Sequence, residues 1–135
     1  CDWSSDVCSS DLSPIVPMTK TDVGFEFLPL KESKQFSHQS VQKHMKNKNK
    51  LVSAFHVISE KKLVDPNYKL DYDIFVSGDD KESIDVVNSL ITEISGLRPI
   101  FIGSGSLAYM AEIATPLLLN IMIKNKMKNP GIKIL

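Results

Sequence analysis

The stretch Leu51–Ser59, LVSAFHVIS, constrains the fold of this chain more than any other segment. It opens with an apolar run whose length and content predict a strand, Leu51–His56, buried on both faces of a sheet. His56 ends that strand, and Ile58 lies two positions further on. In open α/β sheets, ligands bind just beyond the carboxyl ends of the strands. His56 is therefore the first candidate for a binding residue.

Apolar periodicity elsewhere predicts strands and helices in alternation, the order of a nucleotide-binding type of α/β fold. Strands are predicted within 13–18 and at 51–56, 73–78 and 97–102, and helices at 33–46, 81–94 and 106–125. Ser33 is the predicted cap of the first helix. Thr19–Leu30 contains Gly24 and Pro29 and is predicted to be a loop. His38 and His44 lie at polar positions of the first helix, so we expect both at the surface.

The helix predicted over 81–94 has the clearest signature. Its apolar face combines Ile84, Val87, Leu90, Ile91 and Ile94. Asp79 followed by Glu82 predicts a capping box at its start, and Gly96 predicts its end. Capping is the preferred role of Asp79 and Asp80 over metal binding, because the sequence shows no further ligand cluster beside them. We therefore predict no metal site.

The last helix raises the question of a membrane. Leu107–Ile123 is strongly apolar, but it carries Glu112, Pro116 and Asn120 and is short for a span, which needs about 20 apolar residues. We expect a helix that Ser106 caps, that is buried on most of its sides, and that is a candidate homodimer interface. No membrane partner is predicted.

The composition excludes some classes of partner. Hydrophobic residues make up 42% of the chain and charged residues 24%, which is typical of a globular domain. The formal net charge is zero, so nothing in it favours nucleic acid or an anionic membrane as a partner. The lysines of 43–50 and of the tail are expected to be solvated.

The first twelve residues, Cys1–Leu12, differ from the rest. They hold the only tryptophan, both cysteines and three of the 16 acidic residues, and they resemble a translated sequencing adapter. We exclude them as artefactual and treat 13–135 as part of a single domain. On this interpretation the chain begins within a gene. The remaining residues have no cysteine, which fits a reducing cytoplasm, and we predict a cytoplasmic protein.

No G-x-G-x-x-G turn is present, so the chain is typical of the C-terminal half of a dinucleotide fold. Three segments carry a family resemblance: LVSAFHVIS at 51–59, DIFVSGDDKESIDVVNSLITEISGLRPI at 73–100, and IATPLLLNIMIKNKMKNPGIKIL at 113–135. Together they resemble the C-terminal part of the NADPH-dependent reductases of the deazaflavin coenzyme F420. SPIVPM resembles that family's loop after the fifth sheet strand.

The resemblance implies an α/β fold, the C-terminal part of a Rossmann-like doubly wound sheet lacking its first βαβ units, with a long C-terminal helix. It implies reversible hydride transfer between NADP(H) and coenzyme F420, with this part supplying the deazaflavin side of the cleft. Such transfer requires positioning of two rings and no acid–base pair for the hydride itself. We therefore name no catalytic residue, and we expect the chain alone to lack reductase activity.

The same resemblance implies which residues contact the cofactors. It places His56 near the deazaflavin, Ile58 between the two rings as a spacer, and Thr115 facing the deazaflavin. Val57 and Pro14 complete the implied cofactor-binding set. From the residues alone, a hydrogen-bonded core histidine is the favoured role of His56, and only the resemblance favours a cofactor contact. Thr115 could instead support the kink at Pro116 by bonding back to a carbonyl.

Two positions depart from the family pattern, which has an arginine and a serine where this chain has Tyr109 and Ile113. Neither can replace the fixed charge of an arginine. Two alternatives therefore stay open. One is a related NADP-binding oxidoreductase with another acceptor, such as a flavin or an imine. The other is a non-catalytic module that dimerises through its last helix.

Overall fold

The computed structural model describes residues 11–28 and 36–135. The strands in these residues are β1 (Asp11–Ser13), β2 (Met18–Lys20), β3 (Phe25–Phe27), β4 (Leu51–Ser53), β5 (Tyr72–Gly78) and β6 (Leu97–Gly103). The α-helices are α1 (Ser37–Gln42), α2 (Glu60–Val64), α3 (Lys81–Glu93) and α4 (Ala108–Lys124). Two short 3₁₀ helices, Lys48–Lys50 and Gly105–Leu107, lead into β4 and α4. The predicted cap at Ser33 lies outside the described residues.

Four strands form one mixed sheet in the order β1-β4-β5-β6. The outer pairs, β1 with β4 and β5 with β6, are parallel, and the central pair β4 with β5 is antiparallel. Helix α3 packs on β4, β5 and β6, while α4 packs on β5, on β3 and on α1. The predicted α/β class with a Rossmann-like sheet and a long C-terminal helix is therefore confirmed, and the sheet is mostly parallel.

The core lies between the sheet and α3. It consists of Val52, Ala54, Leu70, Ile74, Val76, Val87, Ile91 and Leu97. Ile84 and Ile94 pack at its margin. Leu90 is 45% exposed, so including it in the apolar face of α3 was wrong. It follows Ile84 by six positions, and at 3.6 residues per turn this moves it off the face that Val87 and Ile91 share.

The cap of α3 also differs from the prediction. Asp80, and not Asp79, occupies the cap position, where its carboxylate accepts the backbone N–H of Ser83 at 2.9 Å. Asp79 instead accepts the backbone N–H of Gly105 at 3.1 Å. The predicted cap of α4 at Ser106 was also wrong, because Leu107 occupies the cap position of α4 and makes no side-chain cap hydrogen bond. Ser104 instead caps the 3₁₀ helix before α4, where its hydroxyl accepts the backbone N–H of Ser106 at 3.1 Å.

The segment predicted as a loop contains a hairpin, so that prediction was wrong. Strands β2 and β3 pair antiparallel, and Thr21 and Gly24 close the turn between them with a hydrogen bond of 2.7 Å. Asn120 of α4 continues the pairing, because its side chain accepts the Phe25 N–H at 2.7 Å and donates to the Phe25 carbonyl at 2.8 Å. Three-residue strands give little periodicity, and this partner is 95 residues away in the chain.

Two residues of the tract set aside as artefactual lie in the sheet. Asp11 and Leu12 pair in β1 with Leu51 and Val52. Strand pairing uses backbone N–H and C=O groups, which every residue except proline carries in full. Residues of any origin, including an artefactual tract, can therefore form this pairing.

Helix α4 is less buried than predicted. Together with the preceding 3₁₀ turn, Gly105–Lys124 is the helix among the described residues that is long and apolar enough to cross a membrane by length and composition alone. An 18-residue window of this helix has a mean hydropathy of 1.5, and only 22% of that window is buried inside the protein. The expectation of burial on most sides was therefore wrong, because the buried residues follow one stripe, at Ala108, Ala111, Glu112 and Pro116. The expectation that no membrane is involved stays a prediction.

Candidate functional site

The candidate site is a turn that follows β4. The strand ends at Ser53, three residues earlier than predicted, so His56 lies in a turn and not at the tip of a strand. The reason is Phe55, whose φ of 66° lies in the left-handed region and cannot continue a strand. His56 and Val57 are buried, and Ile58 is half-buried against the core.

Helix α4 holds this turn through Thr115. The Thr115 hydroxyl donates to the His56 carbonyl at 2.6 Å, across 59 residues of sequence. A hydroxyl has one proton to donate, so the proton goes to the turn and not back to a carbonyl of α4. Two residues that the sequence singled out separately are therefore joined by a direct bond.

The imidazole of His56 is 4% exposed, and neither of its nitrogens has a hydrogen-bond partner among residues 11–28 and 36–135. Burial lowers the pKa of His56 to about 4, and the nearby His38 adds to the lowering. The ring is therefore neutral at neutral pH, with one nitrogen able to donate and the other able to accept. A buried polar group without a partner is unfavourable, and a bound ligand with a polar ring edge would remove that cost.

His38 is a site residue that the sequence reasoning missed. It was expected at the surface but is fully buried, whereas His44 is exposed as expected. Its Nδ1 lies 2.8 Å from the Ser53 hydroxyl oxygen. Burial lowers the pKa of His38, and the charge of Asp79 partly opposes this shift. The short helix α1 is polar in sequence, so nothing in its pattern marked the buried side.

Glu112 is the second residue that was missed. Its carboxylate is fully buried and accepts the backbone N–H of His38 at 3.1 Å and that of Ser37 at 3.3 Å. Burial raises the pKa of Glu112, and these two hydrogen bonds oppose the rise. A signal was present, since a glutamate inside an apolar helix, three positions before Thr115, needs partners on the buried side.

A row of serines crosses the sheet below these groups. Ser13, Ser53 and Ser77 are paired in register across β1, β4 and β5, so their side chains share one face. All three are buried, and only the central hydroxyl reaches His38. Within the described part of the chain, the hydroxyls of Ser13 and Ser77 have no hydrogen-bond partner.

The remaining predicted residues lie around this turn in different ways. Pro14 is exposed and follows the last pair of β1 and β4, beside the hydrogen bond from Ala54 N to the Ser13 carbonyl. It therefore lies at the same edge of the sheet as the turn, without a described contact to His56. Among the described residues, no cluster of three or more His, Cys, Asp or Glu side chains could hold a metal ion.

Of the two departures from the family pattern, Tyr109 has a structural role. Tyr109 stacks on Phe36 with the ring centres 4.8 Å apart, and Phe36 stacks on Phe27 at 6.0 Å. This aromatic stack joins α4, the start of α1 and the hairpin. Ile113 is half-buried on α4. A hydrophobic stack thus occupies the position at which the resemblance implies a fixed positive charge.

The sheet, its flanking helices and the buried turn define a Rossmann-like α/β protein. A crystal structure from Arthrobacter sp. FB24, of a protein described as an F420-dependent NADP reductase, superposes with a TM-score of 0.75. The match covers 92% of this chain and 56% of that one at 20% identity, and it shows the fold alone. No protein-family model matches the sequence.

Curated relatives give the sequence relationship. The F420-dependent NADP reductase of Methanothermobacter marburgensis is 35% identical over 85 residues, covering 63% of this chain and 38% of the relative. That of Methanocaldococcus jannaschii is 40% identical over 86 residues, covering 64% and 39%. This chain is a homologue of the F420-dependent NADP reductases, a family of oxidoreductases, and it spans under two fifths of the length of these relatives.

Proposed function

We propose that this chain supplies the acceptor side of the cleft in an F420-dependent NADP reductase, where a hydride passes between NADP(H) and the deazaflavin. The observation that carries the proposal is the bond from Thr115 to the His56 carbonyl. The two residues assigned separately to the deazaflavin are held against each other, and the His56 nitrogens are buried without a described partner. These features fit a ring with polar edges.

Each residue has a separate part in positioning. His56 offers one donor and one acceptor to the ring edge, because its imidazole is neutral at neutral pH. Thr115 fixes the turn through the His56 carbonyl, and Ile58 sets the spacing of the two rings as an aliphatic side chain. A bound deazaflavin would supply the ring that exchanges a hydride with NADP(H). The chain contributes orientation and exclusion of water, which is the main requirement of hydride transfer.

Titration of this chain with F420, followed by fluorescence, tests the proposal. We expect saturable binding that weakens about three- to tenfold in His56→Ala, the effect of losing one net hydrogen bond. His44→Ala is the matched control, since His44 is exposed, and it should bind as the wild type does. Failure of F420 to bind, or equal weakening in both variants, would refute the assignment.

A related oxidoreductase with another acceptor is the second candidate, and the aromatic stack favours it. Tyr109 stacks on Phe36 and carries no permanent charge, so this chain lacks the charged contact to the deazaflavin that the resemblance implies. Parallel titration with FMN separates the two, because tighter binding of FMN than of F420 would favour the second candidate.

The wider properties of the protein are proposals of the same kind. We propose a cytoplasmic protein that acts on small cofactors, without nucleic acid or membrane partners, and with the exposed side of α4 as a candidate homodimer interface. We also propose that the chain alone does not oxidise NADPH, because it carries no glycine-rich phosphate-binding turn. NADPH consumption in the presence of F420, measured by absorbance, is the direct test.

A further inference from the structure

The turn that carries His56 is held in an unfavourable conformation. Phe55 has a φ of 66°, in the left-handed region that residues with a Cβ rarely adopt. Such backbone persists only where the surrounding structure fixes it from several directions. The hydrogen bond from Thr115 fixes the turn on the far side of Phe55, at the His56 carbonyl. The near side is fixed at Ser53, whose hydroxyl meets His38.

His38 is itself held on three sides. Its Nδ1 contacts the Ser53 hydroxyl at 2.8 Å, and its backbone N–H is bound by Glu112 at 3.1 Å. Its ring lies directly against Gly105, where an added Cβ would come within 2.1 Å of Nε2. The imidazole therefore has little freedom to move, and its hydrogen bond fixes the position of the Ser53 hydroxyl.

One helix holds both sides of the turn. Glu112 and Thr115 are three positions apart on α4, so their side chains project from neighbouring positions of the same face. Glu112 accepts a hydrogen bond from the backbone N–H of His38, and Thr115 donates one to the His56 carbonyl in the turn. His38 and Ser53 thus hold the turn before Phe55, and α4 holds it at His56 through Thr115.

We propose that His38 is a positioning residue for the acceptor site, acting through Ser53 to hold the His56 turn in its ligand-binding geometry. This role rests on the proposed function, since it concerns the same site. His38 makes no contact with the ligand in this proposal. A core histidine without this role would support folding, but its hydrogen bond to Ser53 would not affect the conformation of the His56 turn in the folded protein.

The first test follows His56 itself. The pH titration of its imidazole is read by NMR in the whole chain and in His38→Asn and His38→Ala. The charged groups that act here are His38 on His56, and Asp79 on His38, while Glu112 binds the His38 backbone. Removing the His38 charge should move the His56 midpoint upward from about 4 in both variants. Both variants lose the ring current of His38, but only His38→Ala also loses the hydrogen bond to Ser53, so the backbone chemical shifts of Phe55 and His56 at neutral pH should change more in His38→Ala than in His38→Asn.

The second test uses rescue by side-chain geometry, with the dissociation constant for F420 as the readout. An asparagine amide can occupy the place of Nδ1 and meet Ser53, whereas a glutamine amide takes the place of Nε2, which has no hydrogen-bond partner among the described residues, and leaves Ser53 without its partner. His38→Asn should bind F420 within about twofold of the wild type, while His38→Ala and His38→Gln weaken it about three- to tenfold. Ser53→Ala should weaken binding similarly and add little to His38→Ala.

The outcomes separate the two proposals. If the wild type does not bind F420, the proposed function fails, and the NMR titration still reports whether His38 positions His56. If F420 binds but all His38 variants keep the wild-type affinity, or if His38→Ala changes the shifts of Phe55 and His56 no more than His38→Asn does, the positioning role is overturned. Circular dichroism at the binding temperature confirms that each variant compared is folded. Where His38→Ala is not folded, Ser53→Ala replaces it in both measurements.

Discussion

At the scale of single residues, His56 shows how strongly surroundings change a side chain. The sequence places it after an apolar run, which by itself favours a core residue, and only the family resemblance favours a ligand contact. In the structure, His56 is 4% exposed, and burial together with the nearby His38 lowers its pKa. Its carbonyl accepts a hydrogen bond from Thr115. It is a neutral ring with two free hydrogen-bonding positions among the described residues.

This state predicts a dependence of stability on pH. The His56 pKa is about 4 in the folded chain and 6.5 when unfolded, so between these values the unfolded state binds more protons. Stability is therefore full above pH 6.5 and falls as the pH drops towards 4, by about 3 kcal/mol from this residue. The measurement is the free energy of unfolding by urea at both ends of this range.

A variant isolates the contribution of His56 from the opposite one of Glu112, whose raised pKa favours the folded state as the pH falls. His56→Gln has no titrating ring, so its stability should fall less than that of the wild type over the same range. Parallel curves for the two proteins would show that His56 does not carry the effect.

At the scale of elements, the local pattern decides some segments and not others. Strands β5 and β6 and helix α3 were predicted with ends within about a residue or two, because each holds enough apolar positions to show a period. The hairpin of β2 and β3 and the short helix α2 were not predicted. Their few residues give no period, and the hairpin depends on Asn120 of a distant helix.

The cap of α3 gives a prediction at this scale. Asp80 accepts the backbone N–H of Ser83, so Asp80→Ala should lower the free energy of unfolding by about 1 kcal/mol. Asp80→Asn should retain most of it, since asparagine also caps helices. Glu82→Ala is the control, because the capping box predicted for Glu82 is not formed with Asp80 as the cap, and a loss below about 0.5 kcal/mol is expected. Thermal or urea unfolding of the three variants is the measurement.

At the scale of the whole molecule, the C-terminal tail returns to the sheet. The backbone N–H of Asp73 donates to the Ile132 carbonyl at 2.8 Å, and the Asp73 carboxylate accepts the N–H of Ile134. Arg98 donates to both carboxylate oxygens at 2.8 Å and to the Ile134 carbonyl at 2.7 Å. Arg98 holds the pKa of Asp73 below its usual value. One buried aspartate thus joins β5, β6 and the tail.

The tail also approaches the candidate site, since the Ser59 hydroxyl lies 3.4 Å from the Asn129 side chain.

The contact between Arg98 and Asp73 gives a prediction at this scale. Arg98→Ala should lower the free energy of unfolding by about 2 kcal/mol, because it leaves the buried carboxylate of Asp73 with fewer partners. The exposed half of Arg98 keeps the effect below that of a fully buried pair. Lys133→Ala removes only an exposed partner of Asp71 and should cost under about 1 kcal/mol. Similar losses in both variants would contradict this role for Arg98.

The sequence by itself determined the α/β class, the strands and helix with a clear apolar period, and the family resemblance that singled out His56, Ile58 and Thr115. These follow from neighbours within a few residues along the chain. The tertiary structure alone decided that β4 stops at Ser53, that His38 is buried, and that Glu112 and Thr115 hold the turn. The first depends on the left-handed backbone of Phe55. The other two depend on hydrogen bonds between residues 15 to 75 positions apart, and no local pattern contains such contacts.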